Sequence, residues 1–149
     1  MKKICIFQDT QKSEYTADLL EVAERMYGQG QFTSHALFLT GPVDRFTGVF
    51  HHIIRVKEGL VAQYDPCRIC DILEQLQHKE HFDTVLIPAT PLGKMIAPRL
   101  AKRLGTGLAA GVTGIRKDGG RIELIRPACS GKTVQVIHPH NNGPVVMSI

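Results

Sequence analysis

A short apolar run at 85–87, followed by a glycine-containing turn and an amphipathic helix, constrains the fold of this chain more than any other feature. The run is rich in β-forming residues and ends at Pro88, which is typical of a strand covered on both faces in a parallel sheet. In open α/β sheets, ligands bind beyond the carboxyl ends of the strands. The turn at 90–94 therefore occupies the position where a binding site is expected.

The residues after this turn have the pattern of a helix with one apolar face. Ile96, Leu100 and Leu104 are spaced i, i+4, i+8, and basic residues occupy the opposite side. Gly105 is the expected residue just past the helix end. Pro98 removes one helical hydrogen bond, so we expect a kink in the first turns unless the helix begins only just before it.

The rest of the chain alternates strands and helices and then changes to strands alone. Strands are predicted at 3–7, 34–39, 53–56, around 84, and at 108–115, 121–126, 133–138 and 145–149. Helices are predicted from an N-cap at Ser13 to about Gly28, from Asp65 and Pro66 to about Lys79, and after Thr90, with one or two helical turns at 44–50. The first helix is expected to bury Ala17, Leu20, Ala23 and Tyr27.

This order of elements predicts an α/β fold with a mostly parallel sheet and helices on both faces. The later strands are expected to be partly antiparallel, because the Asp-Gly-Gly sequence at 118–120 is typical of a hairpin turn. A chain of 149 residues with 43% hydrophobic residues can bury one substantial core. We therefore expect a single domain over 1–149.

Four motifs follow one another in the second half of the chain: TPLGK at 90–94, IAPRLA at 96–101, RLGTGL at 103–108 and RPA at 126–128. In this order they resemble the amino-terminal domain of the electron transfer flavoprotein alpha subunit. The similarity is dense from about Tyr64 to Ile149. After the last motif the family usually shows an aromatic residue, two small residues and Asn, whereas this chain has Cys-Ser-Gly-Lys at 129–132.

The resemblance implies an adenine-nucleotide-hydrolase-like, Rossmann-like fold and the role of an electron carrier. In the family, FAD is bound by a second domain, so we expect no cofactor within these residues. The implied partners are an electron transfer flavoprotein beta subunit and an acyl-CoA or related dehydrogenase. As a scaffold in a heterodimer, the domain should expose more apolar surface than a solitary domain does.

Two turns are expected to border a crevice where the strand order reverses. One is 8–10, after the first strand, and the other is 90–94, from which Thr90, Gly93 and Lys94 are candidates for a nucleotide-binding loop. Asp9 in the first turn would repel a phosphate, which favours a structural role for the second turn. In that role Thr90, Pro91 and Gly93 shape a tight strand-to-helix turn and Lys94 is solvated. An alternative function is thus a stand-alone module that binds adenine nucleotides.

The Cys67-x-x-Cys70 motif has two interpretations. Cys70 lies beside the apolar stripe of a predicted helix, which favours a core residue and a surface residue; a redox pair at a helix N-terminus is the alternative. Cys5 and Cys129 are not spaced as a second zinc-binding pair. His51, His52, His138 and His140 have no nearby carboxylate partner in the sequence. We therefore expect no metal site.

Several functional classes are excluded by composition and context. The net charge of +4 is mild and scattered, which argues against nucleic-acid binding. No apolar run approaches the length of a membrane helix, and no signal peptide is recognisable, so a cytoplasmic protein is expected. The SGKT sequence at 130–133 precedes a predicted strand, unlike a P-loop. No nucleophile or carboxylate pair stands in a catalytic context, so we expect no catalytic residues.

Overall fold

The computed structural model describes residues 1–9, 12, 14–57, 59–61, 64–140 and 143–149. Its strands are β1 (Lys2–Gln8), β2 (Phe32–Phe38), β3 (His52–Arg55), β4 (Thr84–Ile87), β5 (Leu108–Ala109), β6 (Gly114–Asp118), β7 (Arg121–Ala128), β8 (Thr133–Ile137) and β9 (Val145–Ser148). Its α-helices are α1 (Tyr15–Tyr27), α2 (Pro66–Glu80) and α3 (Pro91–Arg103), and short 3-10 turns lie at Asp44–Phe46 and Cys129–Gly131. The predicted alternation of strands and helices is confirmed.

Over the described ranges, six strands form a parallel sheet in the order β3-β2-β1-β4-β9-β5. The chain builds outward from β1 in one direction through β2 and β3, and β4 then returns to the other side of β1. The strand order therefore reverses between β1 and β4, where the sequence predicted the crevice. The strands β6-β7-β8 form a separate antiparallel sheet, which confirms the prediction of antiparallel pairing late in the chain.

Helices cover both faces of the parallel sheet. One core joins alternate side chains of the central strands to α1 and to the small sheet, and includes Ile4, Ile6, Leu19, Ala23, Met26, Phe38, Leu86 and Leu124. The other core joins the intervening side chains to α2 and α3, and includes Cys5, Phe7, Leu37, Ile69, Leu73, Val85, Ile96 and Leu100. All four residues of β4 are buried, as predicted for a strand covered on both sides.

The buried face of α1 differs from the predicted one. Leu19, Ala23 and Met26 are buried together with Thr16, whereas Ala17 is exposed. Leu20 and Tyr27 are half-buried at the edge of this stripe. The buried stripe is thus rotated by about one residue position relative to the prediction. Where two apolar residues are adjacent in the sequence, the pattern does not determine which of them faces the core. The predicted N-cap, Ser13, lies outside the described residues.

The start of α2 follows the sequence closely. The carboxylate of Asp65 accepts hydrogen bonds from the backbone N–H groups of Cys67 (3.0 Å) and Arg68 (3.1 Å), and Pro66 takes the first helical position. His81 ends the helix in the left-handed conformation with φ of 53°. The predicted cap and helix are confirmed, with the end one residue later than expected.

Helix α3 runs without interruption through Pro98. It begins at Pro91, so the alternative in which the helix starts just before Pro98 is wrong. Gly105 has φ of 64° immediately after the C-cap, which confirms its predicted role as the residue past the helix end. The motif at 96–101 therefore lies entirely within one helix.

The single strand predicted at 108–115 is in fact two strands in different sheets. β5 pairs with β9, and β6 begins at Gly114 in the small sheet. Between them the N–H of Val112 still bonds the carbonyl of Ser148, while the N–H of Thr113 bonds the carbonyl of Ile125. Gly111, with φ of 63°, allows the backbone to turn from one sheet to the other. The predicted hairpin at 118–120 is confirmed by the direct pairing of Asp118 with Arg121.

Candidate functional site

The two turns predicted to border the crevice contact each other directly. The hydroxyl of Thr90, after β4, donates a hydrogen bond of 2.6 Å to the carboxylate of Asp9, after β1. Asp9 is 2% exposed and Thr90 is 6% exposed. Thr10, the third residue of the first turn, lies outside the described residues. The switch point is therefore spanned by a short, buried hydrogen bond between the protein's own side chains.

Thr90 also caps α3. Its hydroxyl oxygen accepts a hydrogen bond of 3.1 Å from the N–H of Gly93, and Pro91 occupies the first helical position. One hydroxyl thus donates to Asp9 and accepts from the helix terminus. An N–H group that a bound phosphate would otherwise use is already paired.

Gly93 lies where backbone segments come unusually close. A Cβ at this position would stand 1.8 Å from the carbonyl oxygen of Pro88 and 3.1 Å from the Cγ2 atom of Ile87. The sequence predicted that Gly93 permits a close approach by either a phosphate or another backbone. The approaching group in this structure is the backbone at the end of β4.

Lys94 is separated from this cluster. It is exposed, and its ammonium has no hydrogen bond or ion pair with any residue that the structure describes. Of the three candidates for a nucleotide loop, the fold therefore brings Thr90 and Gly93 together with Asp9 and leaves Lys94 in solvent. Nucleotide binding by the three residues stays a prediction.

A cavity of about 470 Å³ lies beside this turn, between the turn, α1 and the last residue. Most of its surface is apolar, and its lining includes Tyr15, Leu19, Val22, Ala89, Pro91 and Ile149. The N–H of Ile149 bonds the carbonyl of Ile87, and its own carbonyl accepts from Ala89 at 2.6 Å. No sequence pattern indicated this cavity, because its residues belong to three segments far apart in the chain.

A larger cavity of about 700 Å³ lies at the opposite, amino-terminal ends of the strands, between Tyr27 and the hairpin residue Arg121. The ammonium of Lys2 lies 2.7 Å from one oxygen of Asp83, and the backbone N–H of Lys3 donates to the other oxygen at 2.8 Å. Burial alone would raise the pKa of Asp83, but these hydrogen bonds hold it below its usual value. The paired charges thus serve to hold β1 beside the start of β4.

The cysteines occupy the positions expected of core and surface residues. Cys70 is completely buried, its thiol lies 3.6 Å from the carbonyl of Ile96, and burial raises its pKa. Cys67 is exposed. Burial raises the pKa of Cys5 to about 12. Because the thiolate is the reactive form, the buried thiols are poor nucleophiles and poor metal ligands at neutral pH.

One expectation about the histidines is wrong. The Nε2 atom of His138 lies 3.9 Å from the carboxylate of Glu123, which Arg116 also contacts at 2.6 Å. The sequence did not indicate this carboxylate partner, because the contact depends on the pairing of β7 with its neighbours. Among the described residues, no group of three or more His, Cys, Asp or Glu could hold a metal ion.

The prediction of a strand after the SGKT sequence is confirmed. The segment after Gly131 is the strand β8, so the SGKT sequence lacks the helix that a P-loop requires. In the described part of the chain, no helix has both the length and the apolar character needed to cross a membrane.

Comparison with known proteins gives two matches. Residues 9–149 match the family model described as the electron transfer flavoprotein domain. The electron transfer flavoprotein subunit alpha of Bacillus subtilis (strain 168) is 33% identical over 83 residues. The aligned part covers 56% of this chain but only 26% of that relative, so the match spans about a quarter of the relative's length.

Proposed function

The chain belongs to the electron transfer flavoprotein domain family, and we propose that it is the amino-terminal scaffold domain of an alpha subunit. In the complete heterodimer, FAD would carry electrons from an acyl-CoA or related dehydrogenase to a downstream acceptor. These residues would form part of the frame and contain no catalytic group. A cytoplasmic location fits the free thiols, which a reducing compartment preserves.

The main observation in support of this proposal is that the protein's own residues occupy the point where the strand order reverses. The N–H of Gly93 is paired with Thr90, and Pro88 takes the space beside Gly93. The carboxylate of Asp9 presents a further obstacle to a pyrophosphate group, since like charges repel. The residues at this position therefore do not fit FAD. This supports a role in which the flavin is held by another domain.

The small sheet offers a surface for the proposed beta subunit. β8 is an edge strand that pairs only with β7 among the described strands. Val134 is 71% exposed and Val136 is 40% exposed, and their spacing of two residues places them on the same face of the strand. Exposed apolar residues on an unpaired edge are a liability in a solitary domain and a common feature of protein interfaces. We propose that the beta subunit covers this edge.

Charged residues on β8 should weaken assembly with a beta subunit. We expect the native chain to form a 1:1 complex with an electron transfer flavoprotein beta subunit from the same organism. Replacing Val134 and Val136 by Lys should raise the dissociation constant at least about tenfold, because the substitution puts two desolvated charges into the interface. Isothermal titration calorimetry, or size-exclusion chromatography with light scattering, measures both results.

Met95→Lys is the matched control. Met95 is 41% exposed on α3, which packs on the opposite face of the parallel sheet from the small sheet. This variant should bind the beta subunit like the native chain. No complex with the native chain would refute the proposed partner, whereas equal affinity in the Val134 and Val136 variant would refute only the proposed surface.

The alternative function is a stand-alone module that binds AMP or ATP. The observation in its favour is the position of the turn, since Thr90 and the exposed Lys94 lie at the sheet's switch point. Calorimetric titration with AMP and ATP separates the two functions. Micromolar affinity that is lost in Lys94→Gln would favour the module, and the absence of binding heat would favour the scaffold.

A further inference from the structure

Two histidine rings stack across the outermost strand pair of the parallel sheet. His35 on β2 and His52 on β3 are direct partners in the register, and their ring centroids are 4.5 Å apart at an interplanar angle of 22°. His52 is exposed, but His35 is only 7% exposed, and its ring also meets that of Phe82 edge-on at 5.3 Å. We refer to His35 and His52 as the imidazole pair.

The surroundings of the imidazole pair do not favour additional positive charge. Within the part of the chain that the structure describes, the buried Nδ1 atom of His35 has no hydrogen-bond partner. A backbone hydrogen bond with Thr33 favours the charged ring, but burial outweighs it and the pKa of His35 is lowered. The charged groups that face His35 are Lys3 on β1 and Glu80 at the end of α2. Glu80 is already engaged, since the ammonium of Lys3 lies 3.4 Å from its carboxylate and 3.2 Å from its carbonyl oxygen. A proton on His35 would therefore find no free counter-ion among these groups.

Strand β3 is weakly attached to the rest of the fold. It has four residues, none of them fully buried, and of the strands described it pairs only with β2. Ile53 and Ile54 are partly buried against the two cores. Its start is held by His51, whose Nδ1 atom lies 2.8 Å from the hydroxyl of Ser34. Its end is held by the bond from the N–H of Val56 to the carbonyl of Phe38. Edge elements with few buried contacts open at low free-energy cost.

We propose that the imidazole pair makes β3 a pH-sensitive edge strand, which pairs with β2 when His35 is neutral and separates when His35 is protonated. Protonation of His35 puts a positive charge in a buried position, stacked against the ring of His52 at a centroid distance of 4.5 Å. Separation exposes the ring of His35 to water and moves it away from His52. The edge of the sheet thereby responds to acid in the range where histidine titrates.

The direction of the effect follows from the pKa of His35. Burial lowers this pKa below the ordinary value of 6.5, and the neighbouring His52 lowers it further. The separated strand therefore binds protons more readily than the paired strand. The stability that neutral His35 gives to the paired strand is therefore fully present above about pH 6.5. It decreases as the pH falls below that value, and the decrease ends once the pH is below the folded-state pKa of His35.

Hydrogen–deuterium exchange of the amides of β3 tests this proposal. Protection, corrected for the intrinsic pH dependence of exchange, should fall several-fold, up to about tenfold, between pH 7.5 and pH 5.5. The amides of β1, in the centre of the sheet, should keep their protection. His35→Phe retains an aromatic ring without a titratable nitrogen, and its β3 protection should not change with pH.

Two further variants keep the test decisive. His52→Gln changes only the exposed member of the imidazole pair, so it reports on the repulsion even if His35→Phe folds poorly. It should reduce the pH dependence. His78→Gln, at an exposed position on α2, is the matched control and should behave like the native chain. Protection of β3 that is equal at both pH values in the native chain would overturn the proposal. A fall in His35→Phe and His52→Gln that is as large as in the native chain would also overturn it.

Discussion

Gly93→Val is expected to lower the free energy of unfolding by at least about 3 kcal/mol, which is near the upper end of the effects of overpacking. The reason is that the first added carbon would lie 1.8 Å from the carbonyl oxygen of Pro88. Neither group can rotate away, because one is the strand backbone and the other is the first turn of α3. The helix must therefore move off the sheet, which also disturbs the contact between Thr90 and Asp9. Urea denaturation followed by circular dichroism measures the change.

Gly107→Val provides the control for this prediction. Gly107 is exposed, no heavy atom lies within 4 Å of the position of an added Cβ, and its φ is not in the left-handed region. The substitution should change the unfolding free energy by no more than about 0.5 kcal/mol. Gly93→Ala should resemble Gly93→Val, since the clash begins at Cβ. A Gly93→Ala protein as stable as the native chain would contradict the described packing of α3 on β4.

Thr90→Val is expected to cost about 2.5 to 4 kcal/mol of stability. The substitution keeps the shape of the side chain but removes the hydroxyl that caps α3 and donates to Asp9. Loss of an N-cap costs about 1 kcal/mol, and loss of a hydrogen bond to a charged group costs about 1.5 to 3 kcal/mol. Equilibrium denaturation at pH 7 measures the sum.

Thr90→Ser is the matched variant, because it retains the hydroxyl and deletes only a methyl group. It should lose less than half as much stability as Thr90→Val. If the two variants were equally destabilised, the methyl group rather than the hydrogen bonds would account for the role of Thr90. The hydrogen bond from Thr90 to Asp9, which connects the turns after β1 and β4, would then contribute little to the free energy of unfolding.

Much of the fold was predictable from local patterns. The continuous apolar run of β4, the Asp65-Pro66 cap and the glycine after α3 each specify one local structure, and each is confirmed. The position of the crevice was also predictable, because the alternation of strands and helices restricts the strand order to a few possibilities.

The remaining features depend on contacts between distant segments. The split of 108–115 between two sheets was hidden, since a continuous β-rich pattern does not reveal a change of partner. The approach of Pro88 to Gly93 and the bond from Thr90 to Asp9 depend on how α3 sits on the sheet. The stacking of His35 on His52 depends on the register of an edge strand.

The flavin content of the purified 149-residue chain tests the central claim most directly. The chain would be incubated with excess FAD, desalted, and examined for absorbance near 450 nm relative to its protein concentration. We predict that no stoichiometric flavin remains, because the position that an α/β sheet would use for a dinucleotide is filled by Asp9, Thr90 and the Pro88–Gly93 contact. Retention of one flavin per chain would contradict the assignment of these residues as a frame whose cofactor is bound elsewhere.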